Sequence, residues 1–274
     1  MSPPLTIIQA GQGTRHYWHE LWRFRELLLF LSWRLLLIRY KQTVLGLAWT
    51  LSRPLLTLFV VTLVFSRIAG LPSEGVPYVL LVISGLLPWQ FFTSAFTESS
   101  GILVDNAHLL TKVYFPRLLL PASAWLVCLV DFLISALILV GLMAWYGHWP
   151  TWRIVVLPFF MLLLLGTAFG AGLWVAALNV RYRDFRHLVP FVVQFGLYLS
   201  PVGFSLRVVP EQWRWLYSLN PMVGIIDGFR WCLLDTGVPL HLPGVMLSAM
   251  CMILLAWPGL CYFRQTEASL ADII

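Results

Sequence analysis

A single carboxylate, Asp131, interrupts the otherwise charge-free stretch 118–152. An ionisable group set in an apolar run of that length is a functional candidate by default, because hydrocarbon penalises charge. A structural use competes with it: pairing across helices or binding hydroxyls, with Arg53 as a candidate partner. Proton- or sodium-coupled transport calls for several such groups and for broken helices in repeated halves. The sequence shows neither a second buried carboxylate nor an inverted repeat. Enzyme chemistry finds less still. No G-x-x-x-x-G-K-[ST] occurs, and neither lysine (Lys41, Lys112) follows a glycine, so the chain has no P-loop for ATP. H-E-x-x-H and G-x-S-x-G are absent too. Asp184 with His187 is the nearest approach to an acid–base pair. Cys128, Cys232, Cys251 and Cys261 form no CxxC and have no histidine at ligand spacing, so neither a metal site nor a disulfide framework is expected.

The aromatic residues carry more information. The run Pro88-Trp89-Gln90-Phe91-Phe92-Thr93-Ser94-Ala95-Phe96 places rings all round one helix, so some must face protein or a lumen rather than lipid. Ring faces stack on the apolar faces of sugars. Trp89, Phe91, Phe92 and Phe96 are therefore candidates to line a conduit that passes a carbohydrate chain without holding it tightly. Ordinary helix packing is the competing use of each ring.

The elements that must position these residues follow from composition. Of 274 residues, 59% are apolar and 11% charged, and the mean hydropathy is +0.82. A soluble domain carries about 25% charged residues, so this chain could not wet its own surface. Soluble enzymes, nucleic-acid binders and disordered chains are excluded as classes. A bilayer-crossing helix needs roughly 20 apolar residues, and residues 75–97, 118–152, 154–180, 187–206 and 236–263 supply five such stretches, 187–206 being the shortest. A sixth, 43–66, holds Arg53 beside Pro54 near one end, where the side chain can snorkel. The expectation is an all-α integral membrane protein with six transmembrane helices.

Orientation follows from the cations. With the N-terminus inside, thirteen of the 18 Lys and Arg fall on inner segments, and Arg67, Arg153, Arg207, Arg214 and Arg230 fall on outer ones. That asymmetry puts both termini in the cytoplasm. Two regions are not spans. Residues 19–42 alternate Leu, Trp and Phe with Arg and Glu at helical spacing, which reads as an amphipathic helix lying in the cytoplasmic interface. Residues 207–235 read as two short re-entrant helices, about 211–218 and 221–234, with Asn220-Pro221 opening the second. They carry Trp213, Trp215, Tyr217, Phe229 and Trp231. The boundaries are then a tail at 1–18, the interfacial helix at 19–42, the six-helix domain at 43–265 and a cytoplasmic tail at 266–274. Residues 1–18 lack the apolar core of a cleavable signal peptide.

Five motifs in register carry a resemblance. Arg39-Tyr40-Lys41-Gln42-Thr43-Val44-Leu45-Gly46 opens the first span, and Gly85-Leu86-Leu87-Pro88-Trp89 lies in the second. Asn106-Ala107-His108-Leu109-Leu110-Thr111-Lys112-Val113-Tyr114-Phe115-Pro116-Arg117 follows it. Leu178-Asn179-Val180-Arg181-Tyr182-Arg183-Asp184 follows the fourth span, and Leu219-Asn220-Pro221-Met222 lies in the outer segment. From about residue 20 to 265 the chain resembles the permease subunit of type-2 ABC exporters of O-antigen, capsule or teichoic acid polymers. The resemblance implies a homodimeric channel in the bacterial inner membrane, paired with two separate ATPase subunits that bind the ATP and magnesium. It implies a lipid-linked polysaccharide as cargo and no cofactor on this chain. It also implies ATPase coupling through about 104–117 and the segment after the fourth span: Asp105, Leu109, Leu110, Lys112, Tyr114, Phe115, Arg117, Arg181 and Asp184. The helices at 211–234 would be an outer gate. Residues 102–116 suit a docking helix on their own terms, capped by Asp105 or Asn106 and ended by Pro116. Two rivals stay open: a permease of the same fold for a drug or lipid, and a membrane enzyme acting on lipid-linked sugars.

Overall fold

The computed structural model describes residues 14–41, 46–182 and 184–273. Residues 1–13, the opening of the first predicted span at 43–45, Arg183 and the Arg53 side chain lie outside the described residues. No strand occurs among the described residues. In chain order the elements are α1 (Thr14–Arg23), α2 (Arg25–Lys41), α3 (Gly46–Thr62, continued by a π-helical turn Leu63–Ile68), α4 (Tyr78–Asp105), α5 (Ala107–Lys112), α6 (Leu119–Trp145), α7 (Leu157–Arg181, entered through a 3-10 turn), α8 (Phe185–Tyr198), α9 (Glu211–Tyr217), α10 (Pro221–Leu234) and α11 (Leu242–Ile273).

Local chemistry sets the breaks. Asn220 Oδ1 accepts from the Met222 amide at 3.0 Å and Pro221 takes the first helical position, so α10 starts where its cap and proline require. Gly147, at φ +65, turns the chain just beyond α6, a conformation that a side chain would resist.

Helix α4 is the hub. In its most apolar stretch 72% of residues are buried, against 28% in α6 and 22% in α11, so α4 is enclosed by protein while the others turn one face outward. It packs against α3, α6, α7, α8 and α10. Leu133, Leu137 and Val140 on α6, and Met246, Ile253, Leu254 and Trp257 on α11, form exposed apolar stripes of the kind that suits hydrocarbon. The α7–α11 crossing depends on glycine: a Cβ on Gly170 would stand 2.5 Å from the Ala256 nitrogen and 2.5 Å from the Leu255 carbonyl carbon. Close approach through small residues is how helices associate where water supplies no drive.

Among the described residues four helices, containing α4, α6, α7 and α11, are long and apolar enough to cross a membrane. The fifth expectation, a span over 187–206, meets a helix of only 14 residues. At 1.5 Å per residue α8 reaches about 21 Å, short of the roughly 30 Å hydrocarbon core. The chain leaves the helix at Leu199 and turns through Ser200-Pro201. The amphipathic segment is two helices broken at Phe24, still linked by Phe24 N to Glu20 O (3.0 Å) and Leu28 N to Phe24 O (3.1 Å). Helix α2 buries Leu31 and Ser32 and packs on α6, leaving Phe30 and Trp33 exposed.

Candidate functional site

At the C-terminal end of α4, Asn106 turns the chain into α5, which has six residues. A single docking helix over 102–116 does not form, and this corrects the sequence expectation. Asn106 makes no side-chain N-cap bond to α5. Its side-chain nitrogen donates back to Ile102 O at 2.9 Å, which finishes α4 instead. Val113 is already extended (φ −131, ψ 131), three residues before Pro116. The apolar set divides accordingly. Val113 and Tyr114 stand exposed beside Lys112, Leu109 and Leu110 are half-buried, and Phe115 is buried in the core with Leu103, Leu119 and Leu173.

Behind this loop lies a junction that sequence reading missed. The Arg117 amide donates to Glu267 Oε1 at 2.8 Å, and its guanidinium donates to the Glu267 carbonyl. The Tyr17 hydroxyl donates to Glu267 Oε2 at 2.9 Å, and the Arg264 guanidinium sits 4.6 Å from the Tyr17 ring centre. Burial, and then the neighbouring Glu267 carboxylate, raise the Tyr17 phenol, so it remains a donor. The loop is thereby fastened to both α1 and α11. Asp105 meets Arg186 of α8 at 3.5 Å, with both side chains more than half exposed, so this pair contributes little by itself. Arg181 stacks on Tyr182 at 5.5 Å, and Asp184 and His187 stand exposed where α8 begins. Asp105, Arg181 and Asp184 thus share this end of the bundle with α5.

Asp131 finds its partner on α2. Arg39 Nη1 lies 2.5 Å from Asp131 Oδ2, Nη2 lies 2.5 Å from Glu98 Oε1, and the Tyr40 hydroxyl donates to Asp131 Oδ1. One guanidinium thus serves carboxylates on α4 and α6, a use that suits its planar fork. The structural reading of Asp131 is the one this arrangement supports. The available signal was the Arg-Tyr pair ending an amphipathic helix. Nearby, Trp125 Nε1 donates to Ser99 Oγ (2.6 Å) and buried Asn179 Nδ2 donates to Ser100 O (2.6 Å), binding α6 and α7 to the same turns of α4.

Against the middle of α4 a cleft of about 770 Å³ opens toward α8, α9 and α10. Trp89, Phe92, Phe195, Trp213, Tyr217 and Met222 are among its walls. Phe92 stacks on Phe96 at 5.7 Å, with Phe96 buried behind it. Phe91 points into the core, edge-on to Phe132 at 5.7 Å, which is in turn edge-on to Phe229 at 6.4 Å. Phe92 is half-buried at the cleft and Trp89, though buried in the core, lines its wall, whereas Phe91 and Phe96 only pack. Among the expected gate aromatics Trp213 and Tyr217 line the cleft and Trp215 is exposed. Phe229 is a core residue, because its face of α10 turns toward α4 and α7. Trp231 lies under the Arg153 guanidinium at 4.9 Å. Arg230, counted from sequence only as an outer cation, is buried.

Comparison with known proteins adds what geometry lacks. A family described as ABC-2 type transporter matches residues 26–234. The O-antigen export system permease protein RfbA of Myxococcus xanthus is 30% identical over 257 residues, covering 93% of this chain and 98% of that protein. A protein of the same name from Klebsiella pneumoniae is 26% identical over 253 residues, covering 91% and 95%. The polysialic acid transport protein KpsM of Escherichia coli is 24% identical over 241 residues, covering 85% and 90%.

Proposed function

The chain belongs to the ABC-2 type transporter family, and we propose that it is the channel-forming subunit of an ATP-driven exporter of lipid-linked polysaccharide. It is a multi-pass membrane transport subunit rather than an enzyme. The observation that carries the cargo is the near end-to-end match to relatives named for O-antigen export and polysialic acid transport. The drug or lipid reading has no such relative among them. The enzyme reading has only Asp184 and His187, both exposed at a helix start.

In this reading two separate ATPase subunits bind ATP and magnesium and push on the loop after α4, where Val113 and Tyr114 offer exposed apolar anchors. The junction of Arg117, Glu267 and Tyr17 carries that push into α1 and α11. The pair Asp105–Arg186 carries it into α8. A second copy of the chain completes the channel. Helix α3 leaves Leu55, Leu56, Phe59 and Val60 exposed, and α8 leaves Phe191, Val192, Phe195 and Tyr198 exposed. A cavity of about 430 Å³ separates the two helices. Trp89 and Phe92 supply the sugar-facing rings, the α5 end and both termini are cytoplasmic, and the bilayer is the inner membrane. Purifying the chain with its ATPase and adding lipid-linked polymer tests the cargo. The reading expects hydrolysis to rise with polymer and not with the lipid carrier alone; equal stimulation by both would favour a lipid permease.

A further inference from the structure

Arg230 of α10 is 8% exposed, and all three of its hydrogen bonds go to backbone carbonyls. Nε donates to Leu81 O on α4 at 3.2 Å, Nη1 to Phe204 O at 2.7 Å and Nη2 to Val202 O at 2.8 Å. The carbonyl between the last two, Gly203 O, accepts from the Tyr78 hydroxyl of α4 at 2.6 Å. Three consecutive carbonyls, 202 to 204, are therefore gripped from one side. The other end of the same turn is held as well: Asn220 Nδ2 donates to Leu199 O at 3.0 Å and to Ser200 Oγ at 2.9 Å. This turn links α8 to α9, the helix that places Trp213 and Tyr217 over the cleft.

The fit needs an absent side chain. A Cβ added to Gly85 would lie 2.8 Å from Arg230 Nη2, 3.0 Å from Val202 O and 3.2 Å from Ile226 Cγ2. Two of these contacts are the two ends of one Arg230 hydrogen bond, and the acceptor is backbone, which cannot swing aside as a side chain can. Gly85 is thus the space that admits the guanidinium. The planar guanidinium meets three divergent carbonyls from three separate nitrogens, whereas a lysine ammonium would carry its three donors on one.

We propose that Arg230, seated against Gly85, is a positioning residue for export: it clasps the 202–204 turn to α4 and so fixes α9 over the cleft, without touching cargo. The clasp acts at the far end of α4 from the docking loop, so loosening it leaves ATPase attachment alone. The proposal rests on the exporter reading for its transport measurement and on the structure alone for its accessibility measurement.

The test uses a cysteine-free chain assembled with its ATPase in lipid nanodiscs, which expose both faces to reagent. Val202→Cys, 1% exposed, reports on the turn, and Leu164→Cys, fully buried in the core, reports on the fold. In Arg230→Lys, maleimide labelling at 202 is expected to rise at least tenfold while labelling at 164 is unchanged. Polymer export should fall at least tenfold with hydrolysis within twofold of wild type. If the lysine variant does not assemble, Gly85→Ala displaces the same guanidinium and should give the same pattern. Unchanged labelling at 202, parallel rises at 202 and 164, or failure of both variants to assemble would each overturn the clasp. Loss of polysaccharide export as the cargo reading would leave the labelling result standing, so the two ideas fail separately.

Discussion

Replacing Arg39 by leucine removes the one cation that α2 sets between Glu98 and Asp131. The cost can be bounded from burial. The Arg39 and Asp131 side chains are 31% and 23% exposed. A fully buried pair broken from one side loses about 3–5 kcal/mol and an exposed one about 0–1, so partial burial puts Arg39→Leu near ~2 kcal/mol. Asp131→Leu should cost less, about 1 kcal/mol, because Arg39 keeps Glu98 and no carboxylate is left without its cation. Once Arg39 is gone, removing Asp131 relieves repulsion from Glu98, so the double variant should fall at least ~1 kcal/mol short of the summed single costs. For a chain of this size ~2 kcal/mol corresponds to about 4–8 °C in Tm. Thermal unfolding of the four proteins in nanodiscs, followed by tryptophan fluorescence, measures all three quantities. An Arg39→Leu midpoint within 1 °C of wild type, or strictly additive costs, would refute the idea that this contact fastens α2 to the spans.

Other outcomes follow from the same geometry. Gly170→Ala drives a Cβ to 2.5 Å from α11 backbone, and should destabilise by about 1–3 kcal/mol; an unchanged Tm would mean that the crossing is looser than drawn. Tyr114→Ala with Val113→Ala should release the ATPase in co-purification, since buried interface anchors contribute ~2 kcal/mol or more, whereas Lys112→Ala should change it little. Phe92→Ala, at the half-buried ring of the cleft, should slow export from a well-folded complex. Phe91→Ala should instead lower folded yield, because truncating a buried ring costs about 3–5 kcal/mol. Single cysteines at 184 and 213 should label from opposite faces of the membrane.

The long, strongly apolar helices were legible because hydrocarbon imposes one rule, length without charge, and α4, α6, α7 and α11 obey it. The short helices at 211–217 and 221–234 were legible through Pro210 and the Asn220 cap, which are local signals. The end of α8 was not legible, because its apolar run continues through 199–206, where the chain turns with its polar backbone tied to Asn220, Tyr78 and Arg230. Hydropathy cannot register such distant donors. The same limit hid the partner of Asp131: Arg39 stands 92 positions away, on a helix whose charged residues suggested only an interface. The docking helix was drawn too long because Pro116 looked like its stop, while Asn106 spends its side chain on the helix before. Which rings in the 88–96 run face the cleft depends on where α10 packs, and that packing places Phe229 against Phe132 and so turns Phe91 inward.

Transport itself tests the central claim most directly. The chain and its ATPase, reconstituted in proteoliposomes with lipid-linked polysaccharide and ATP on the ATPase side, would be followed by a lectin that cannot cross the bilayer. Polymer should reach the lectin side only with ATP and magnesium, and Phe92→Ala should slow its appearance without reducing hydrolysis. Polymer crossing at the same rate without ATP, or no crossing while a lipid or drug is moved under identical conditions, would contradict the account.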